Sequence, residues 1–383
     1  MTTRFAAERA ISPTDGSCSF VVVDDAFALH REACEYLASL RFRDRSVNTE
    51  RAYAGRLALF LTYCADNRLD WRSVTMQDLA GFQCWLVTEP IQQRSTNSVA
   101  LNRSNKTANA FLTSVCEFLR FAATQGWFPP ELAQQISERK YLRRGPTGFD
   151  FGENDQFRTV RSRALRLAEI DNPPQCLTAD EIVSVLRALP RLRDRLLVAI
   201  LAESGVRIGE ALGLRREDMH LLASNKVLGC AIPGPHIHVR RRANPNGSLA
   251  KSRFPRSIPV TPDVVEFYAD YQFERSQVPG GDTSDFVFVN LYKPPLGDPL
   301  RYHNAKKLFE RLSQTVGFDV SPHMFRHSAA TRWLETGTPR DVVQALLGHV
   351  SPASMSVYFH PTNESLRAAV ERGSLTPSSW SSA

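Results

Sequence analysis

The chain has 383 residues, 43% hydrophobic and 23% charged, an ordinary balance for a soluble globular protein with roughly two or three domains. No apolar run reaches membrane-spanning length, and the opening MTTRFAAERAISPTDG lacks the core of a signal peptide, so a cytoplasmic protein with no membrane partner is expected. The formal net charge of +7 favours a polyanionic partner.

Seven cysteines (Cys18, Cys34, Cys64, Cys84, Cys116, Cys176, Cys230) are scattered without a C-x-x-C pair. They are expected to be buried, reduced thiols, neither a disulfide framework nor a zinc site. Residues 1–27 form an N-terminal arm whose FVVVDD segment is compatible with a short strand.

From 28 to 140 the pattern is helical. Tyr53, Leu57, Phe60, Leu61 and Cys64 share one helix face, Thr75-Met-Gln-Asp78 reads as a capping box, and a long helix runs from Asn105 to Gly126. With the segment around Leu37–Leu40, this predicts a bundle of four or five helices. Two polar, basic clusters stand at helix starts: Arg45, Ser46, Asn48, Thr49 and Arg51, then Arg103, Ser104, Asn105 and Lys106. Either they are solvated caps or they grip a phosphate backbone. Residues 141–175 read as a linker with one helical piece near 158–169.

A second domain is predicted from 176 to 361. Thr178-Ala-Asp-Glu181 is a capping box, and the apolar run that follows is interrupted by Arg207 between Gly205 and Gly209. Arg207 and Glu210 are compatible with a plain helical ion pair or with an anion clamp steadied by Glu210. Strands are predicted over 237–240 and 254–260, joined through the turn Asn244-Pro-Asn-Gly247, with Lys251 in the hairpin loop and Arg253 as its local rival. A helix starts at Thr261-Pro262, a short β-like piece covers 286–289, and another helix covers 302–316. A small helix is expected over 363–372 before a serine-rich end.

Between them, Ser321–His360 carries three hydroxyl–proline pairs, Ser321-Pro322, Thr338-Pro339 and Ser351-Pro352. Each predicts a helix with a hydroxyl cap and proline at its first position, and Gly337 and Gly348 sit where C-caps belong. His323 and Arg326 then share a face beside the free amides of a helix N-terminus, which suits a phosphate. Taken singly, His323, Arg326, His349 and Tyr358 also read as a helix-start histidine, a surface cation, a dipole partner and a core aromatic.

The order His-x-x-Arg, Leu-Gly-His and a tyrosine nine residues on resembles the signature of the tyrosine recombinases, the phage-integrase family. SGVRIGEALGL around Arg207 resembles that family's first arginine motif, and the helical region resembles its SAM-like core-binding domain. The resemblance implies a mainly α fold with a small antiparallel β-sheet: a helical core-binding domain over 28–140, a linker over 141–175 and a mixed α/β catalytic domain over 176–361. It also implies a tail over 362–383 that docks on a neighbouring protomer.

It further implies a site-specific recombinase of the integrase or transposase type, acting on double-stranded DNA at specific sites as a homo-tetramer, without cofactor, metal or ATP. Tyr358 would attack phosphorus to give a 3′-phosphotyrosyl link, with Arg207 and Arg326 on the non-bridging oxygens. His323 would be the general base, Lys251 the general acid and His349 a further phosphate donor. A type IB topoisomerase-like enzyme and a non-catalytic DNA-binding protein are the alternatives. A metal-dependent nuclease is disfavoured, because the nine histidines show no ligand spacing in the sequence.

Overall fold

The alternating segment at the N-terminus and the apolar run after it pair as an antiparallel hairpin, β1 (Phe5–Ile11) and β2 (Cys18–Asp24), with Phe5 opposite Asp24. The computed structural model describes residues 3–43, 45–90, 102–141, 159–169, 175–242, 244–248 and 254–348. The chain divides into two compact units, residues 1–145 with 150–171 and residues 146–149 with 172–383.

In the first unit the hairpin lies on a helical bundle. The Phe20 amide donates to the buried Glu50 carboxylate, which Arg41 also pairs, and the Phe5 amide donates to Thr62 Oγ1. The bundle comprises α1 (Arg31–Phe42), α2 (Val47–Asp66), α3 (Met76–Thr88), α4 (Asn105–Thr124) and the short α5 (Pro130–Gln135). The Thr75–Asp78 capping box forms as the sequence predicts, and Ser46 and Ser104 cap α2 and α4. Tyr36, Leu57, Phe60, Phe82 and Phe118 fill the core, each stabilising the unit by roughly 1.5–3 kcal/mol. One expectation fails here. The predicted helical piece near 158–169 is instead strand β4 (Thr159–Arg163), paired antiparallel with β3 (Ser137–Tyr141). The β-branched pair Thr159-Val160 favours the extended backbone.

The second unit starts with α6 (Ala179–Arg187), opened by the Thr178–Glu181 capping box. The central helix α7 (Leu192–Ser204) is buried almost throughout, and one turn, α8 (Ile208–Ala211), follows it. A three-stranded antiparallel sheet holds β5 (Met219–His220), β6 (His236–Val239) and β7 (Arg256–Pro259) in that order. Then come α9 (Pro262–Ser276), α10 (Tyr302–Val316), α11 (Pro322–Glu335) and α12 (Arg340–Leu347). The chain is thus mainly α with small antiparallel sheets, and no helix among the described residues is long and apolar enough to cross a membrane.

Two expected hydroxyl caps are absent. Ser321 precedes Pro322 as predicted, but its side chain makes no cap bond, and the Met324 amide is satisfied by the Ser321 carbonyl. Thr338 is spent on the preceding helix. Its amide bonds Trp333 O and that of Gly337 bonds Leu334 O, a Schellman closure of α11 that leaves Pro339 as the N-cap of α12. None of the seven cysteines forms a disulfide. Cys64 and Cys116 are buried as expected, whereas Cys84 and Cys176 are exposed.

Candidate active site

α7 ends at Gly205, whose φ of +59° few side chains tolerate. A Cβ there would lie 3.2–3.3 Å from side-chain atoms of Leu347, Ala329 and Trp333, so the ends of α7 and α12 meet the face of α11 at this point. Arg326 fastens the junction. Its Nη1 donates to Gly205 O at 2.6 Å and its Nη2 to Leu347 O at 2.7 Å, and only 1% of the residue is exposed. It is a buried tie rather than a surface cation.

Arg207 stands two residues after Gly205, at the N-cap of α8. Its amide donates to Glu210 Oε2 at 2.9 Å and its Nη1 to Glu210 Oε1 at 3.2 Å. Glu210 is buried and shared with Arg256 at the start of β7, whose Nη2 lies 2.7 Å from Oε2. Burial alone would raise the Glu210 carboxyl; the hydrogen bond and charge of Arg256, with the amide and charge of Arg207, outweigh it and hold the group below the usual carboxylate range. Arg256 also donates through Nε to Leu346 O at 2.9 Å, and its guanidinium packs on Gly348, where a Cβ would sit 2.7 Å from Nη1. One carboxylate therefore links the Arg207 motif, β7 and the residue preceding His349.

His323, three residues before Arg326 in the first turn of α11, is exposed, and its ring centroid lies 5.0 Å from that of His327. Burial first, then the charges of His323 and Arg326, pushes the His327 pKa down to about 4, so His327 stays neutral beside these two residues. Lys251, Arg253, His349 and Tyr358 lie outside the described residues, as do the predicted helix starts at Ser351 and 363. The loop leading toward Lys251 is anchored, however. The predicted turn closes through Gly247 N to Asn244 O, and Asn246 Nδ2 donates to Leu212 O and Leu300 O, both at 3.0 Å.

The structure sorts the basic clusters of the helical unit. Asn48 and Arg51 are exposed and line a shallow groove with Ala52, Gly55, Arg56 and Phe111. Thr49 is half-buried, its amide capped by Ser46; Arg45 and Lys106 are exposed. Arg103 and Asn105 have internal work. Arg103 stacks 5.6 Å from Trp85 and 5.8 Å from Phe111, and Asn105 Nδ2 donates to Ala168 O at 2.8 Å. Arg56, stacked 5.9 Å from Phe111, belongs with the groove yet was hidden in the sequence inside an amphipathic run. Arg256 was equally hidden, because 46 residues separate it from Glu210.

The phage integrase family profile matches residues 175–365, and the profile of the phage integrase N-terminal SAM-like domain matches 34–126. Transposase A from transposon Tn554 of Staphylococcus aureus is 25% identical over 355 residues, 91% of this chain and 92% of its own length. Tyrosine recombinase XerA of Thermococcus kodakarensis is 32% identical over 204 residues, 53% of this chain and 64% of its own. Among solved structures, the Tn1549 transposon integrase in complex with circular intermediate DNA shares the fold at TM-score 0.57 and 20% identity, over 89% of this chain and 99% of that one. XerH bound to its difH substrate does so at 0.56 and 19%, over 87% and 82%. With an arginine motif on a buried carboxylate, a His-x-x-Arg helix start packed on it and profiles matched in both units, the chain belongs to the phage integrase family and is a tyrosine recombinase, a site-specific DNA breaking-and-rejoining enzyme of the integrase and transposase kind.

Proposed function

We propose that this recombinase cuts and rejoins double-stranded DNA at the ends of a mobile element, through a 3′-phosphotyrosyl link on Tyr358. The observation that carries the reading is the Arg326 tie: it brings Arg207, His323 and the chain leading into Leu-Gly-His349 to one place, although they are spread over more than a hundred residues. Arg207 directs guanidinium charge at the non-bridging oxygens, where negative charge grows in the pentavalent transition state. Arg326, whose Nη1 and Nη2 hold Gly205 O and Leu347 O, adds its positive charge from the buried junction while fixing the start of α11. His323 stands at the start of α11 to take the tyrosyl proton. Lys251 returns a proton to the leaving 5′ oxygen, and His349 adds a phosphate hydrogen bond. The phenolate serves as both nucleophile and later leaving group, so the phosphoester bond is conserved and rejoining needs no nucleotide.

The helical unit, over 28–140, holds the DNA backbone through the groove of Asn48, Arg51 and Arg56, with Arg45 and Lys106 nearby in sequence; Thr49, Arg103 and Asn105 shape that surface. The catalytic unit covers 176–361. Assembly on DNA is tetrameric, in keeping with the solved lambda integrase tetramer bound to a Holliday junction (TM-score 0.56, 15% identity, 86% of this chain and 77% of that one), and residues 362–383 dock between protomers. The test is covalent trapping on a nicked suicide substrate carrying the element's own ends. A covalent adduct with the native protein that is lost in Tyr358→Phe is the expected result. An adduct that persists moves the nucleophile to another residue, and no adduct on a bound, correct site leaves a DNA-binding protein without this chemistry.

A further inference from the structure

The sheet of the catalytic unit gathers imidazoles. His220 on β5 stands opposite His236 on β6 in the antiparallel register, so the two side chains leave the same face. His238 is two residues further along β6 and shares that face. The loop between β5 and β6 returns over it and brings Cys230. The four potential ligand atoms lie within 4.8 Å of one another, and this is the one such group of His, Cys, Asp and Glu among the described residues. His220 and His236 are buried, 7% and 1% exposed.

The distances have the dimensions of a coordination shell. A tetrahedral zinc with Zn–N of about 2.0–2.1 Å and Zn–S of about 2.3 Å has N···N edges near ~3.3 Å and N···S edges near ~3.6 Å. Here His236 Nε2 and His238 Nε2 are 3.2 Å apart, and Cys230 Sγ lies 3.4 Å from the first and 3.7 Å from the second. The outer nitrogens are held as ligating histidines require. His236 Nδ1 is 2.8 Å from Gly234 O, which fixes the proton there and leaves the Nε2 lone pair facing inward, and His238 Nδ1 is 2.9 Å from Ser257 Oγ. His220 Nε2 lies 3.2 Å from Glu217 O, and its other nitrogen, Nδ1, is buried without a hydrogen-bond partner.

We propose that His220, Cys230, His236 and His238 bind one structural Zn2+, which staples the β5–β6 loop to the sheet. Three imidazoles and one thiolate suit zinc, and four protein ligands leave no open position for substrate, so the ion acts on the fold and not on the phosphoryl transfer. Its mechanical effect falls on β6, the strand leading into the hairpin that carries Lys251. No spacing rule reveals the set, because two ligands meet across strands and the third arrives from a loop.

The test uses the full-length protein without a polyhistidine tag. One zinc per chain is expected by elemental analysis after purification in chelator-free buffer. Replacement by Co2+ should give the intense visible bands of a tetrahedral ion and a near-ultraviolet thiolate-to-metal band. Cys230→Ser, monitored for folding by circular dichroism, should remove the thiolate band. A folded, DNA-binding native protein that holds substoichiometric zinc and gives no tetrahedral Co2+ spectrum overturns the proposal and leaves a dry thiol–imidazole cluster. A thiolate band that persists in Cys230→Ser overturns it as well, by placing the metal elsewhere.

Discussion

Glu210 is the residue on which the arginine site depends. Its carboxylate is fully covered and holds Arg207 on one side and Arg256 on the other. Removing one partner of such a buried set leaves charge uncompensated, so Glu210→Gln is expected to cost about 3 kcal/mol of stability, read by denaturant unfolding. The pH dependence has a definite sign. The folded carboxyl lies below its ordinary value of 4.5, so its contribution is fully present above about pH 4.5 and is lost as pH falls through the folded pKa. The stability gap between native protein and Glu210→Gln should therefore be constant from about pH 5 upward and narrow in more acid solution. A gap unchanged at low pH would show that Glu210 acts by shape alone. Arg207→Ala should leave folding closer to native while slowing adduct formation by about 10²–10³-fold on the suicide substrate.

At the scale of elements, α11 is positioned by the tie it carries and not by its caps. Arg326 reaches two carbonyls at the ends of α7 and α12, and each acceptor left unsatisfied in the interior costs about 1–3 kcal/mol. Arg326→Ala should accordingly lower the unfolding midpoint as well as abolish cleavage, while Arg207→Ala mainly affects cleavage; equal stability in the two variants would refute the tie. The same α11 carries His327, whose folded pKa of about 4 lies below its ordinary 6.5. The unfolded chain takes up this proton first, so stability falls as pH drops from about 6.5 to 4, and His327→Gln should flatten that slope in thermal unfolding.

Helix starts and ends were legible in the sequence where local chemistry decides them: the Thr75 and Thr178 capping boxes, and the glycine closures at Gly337 and Gly348. The Thr338 cap was misread because the residue serves the preceding helix, a choice that depends on where α11 stops. The strand at 159–163 was misread as helix because its partner lies some twenty residues upstream. Arg256 and the histidine cluster were invisible for the same reason, since strand register decides who meets whom.

At the scale of the whole molecule, the net charge of +7 is not spent uniformly. In the helical unit, Arg103 is committed to Trp85, Phe111 and the carbonyls at the end of α3, and burial lowers its pKa. Arg51 and Arg56 border the open groove. The two classes should separate in a salt titration. Each phosphate contact contributes about 0.9 to the slope of log K against log salt, so Arg51→Ala, at an exposed cation, should flatten the slope by about one and weaken binding to any duplex alike. Arg56 also donates to Ser114 Oγ at 3.0 Å, so Arg56→Ala should lose stability as well as slope. Arg103→Ala should leave the slope nearly native and instead lower the melting temperature of the helical unit, through the lost cover on Trp85 and Phe111. A full unit of slope lost from Arg103→Ala, with stability intact, would move the DNA track from the α2 groove to the start of α4.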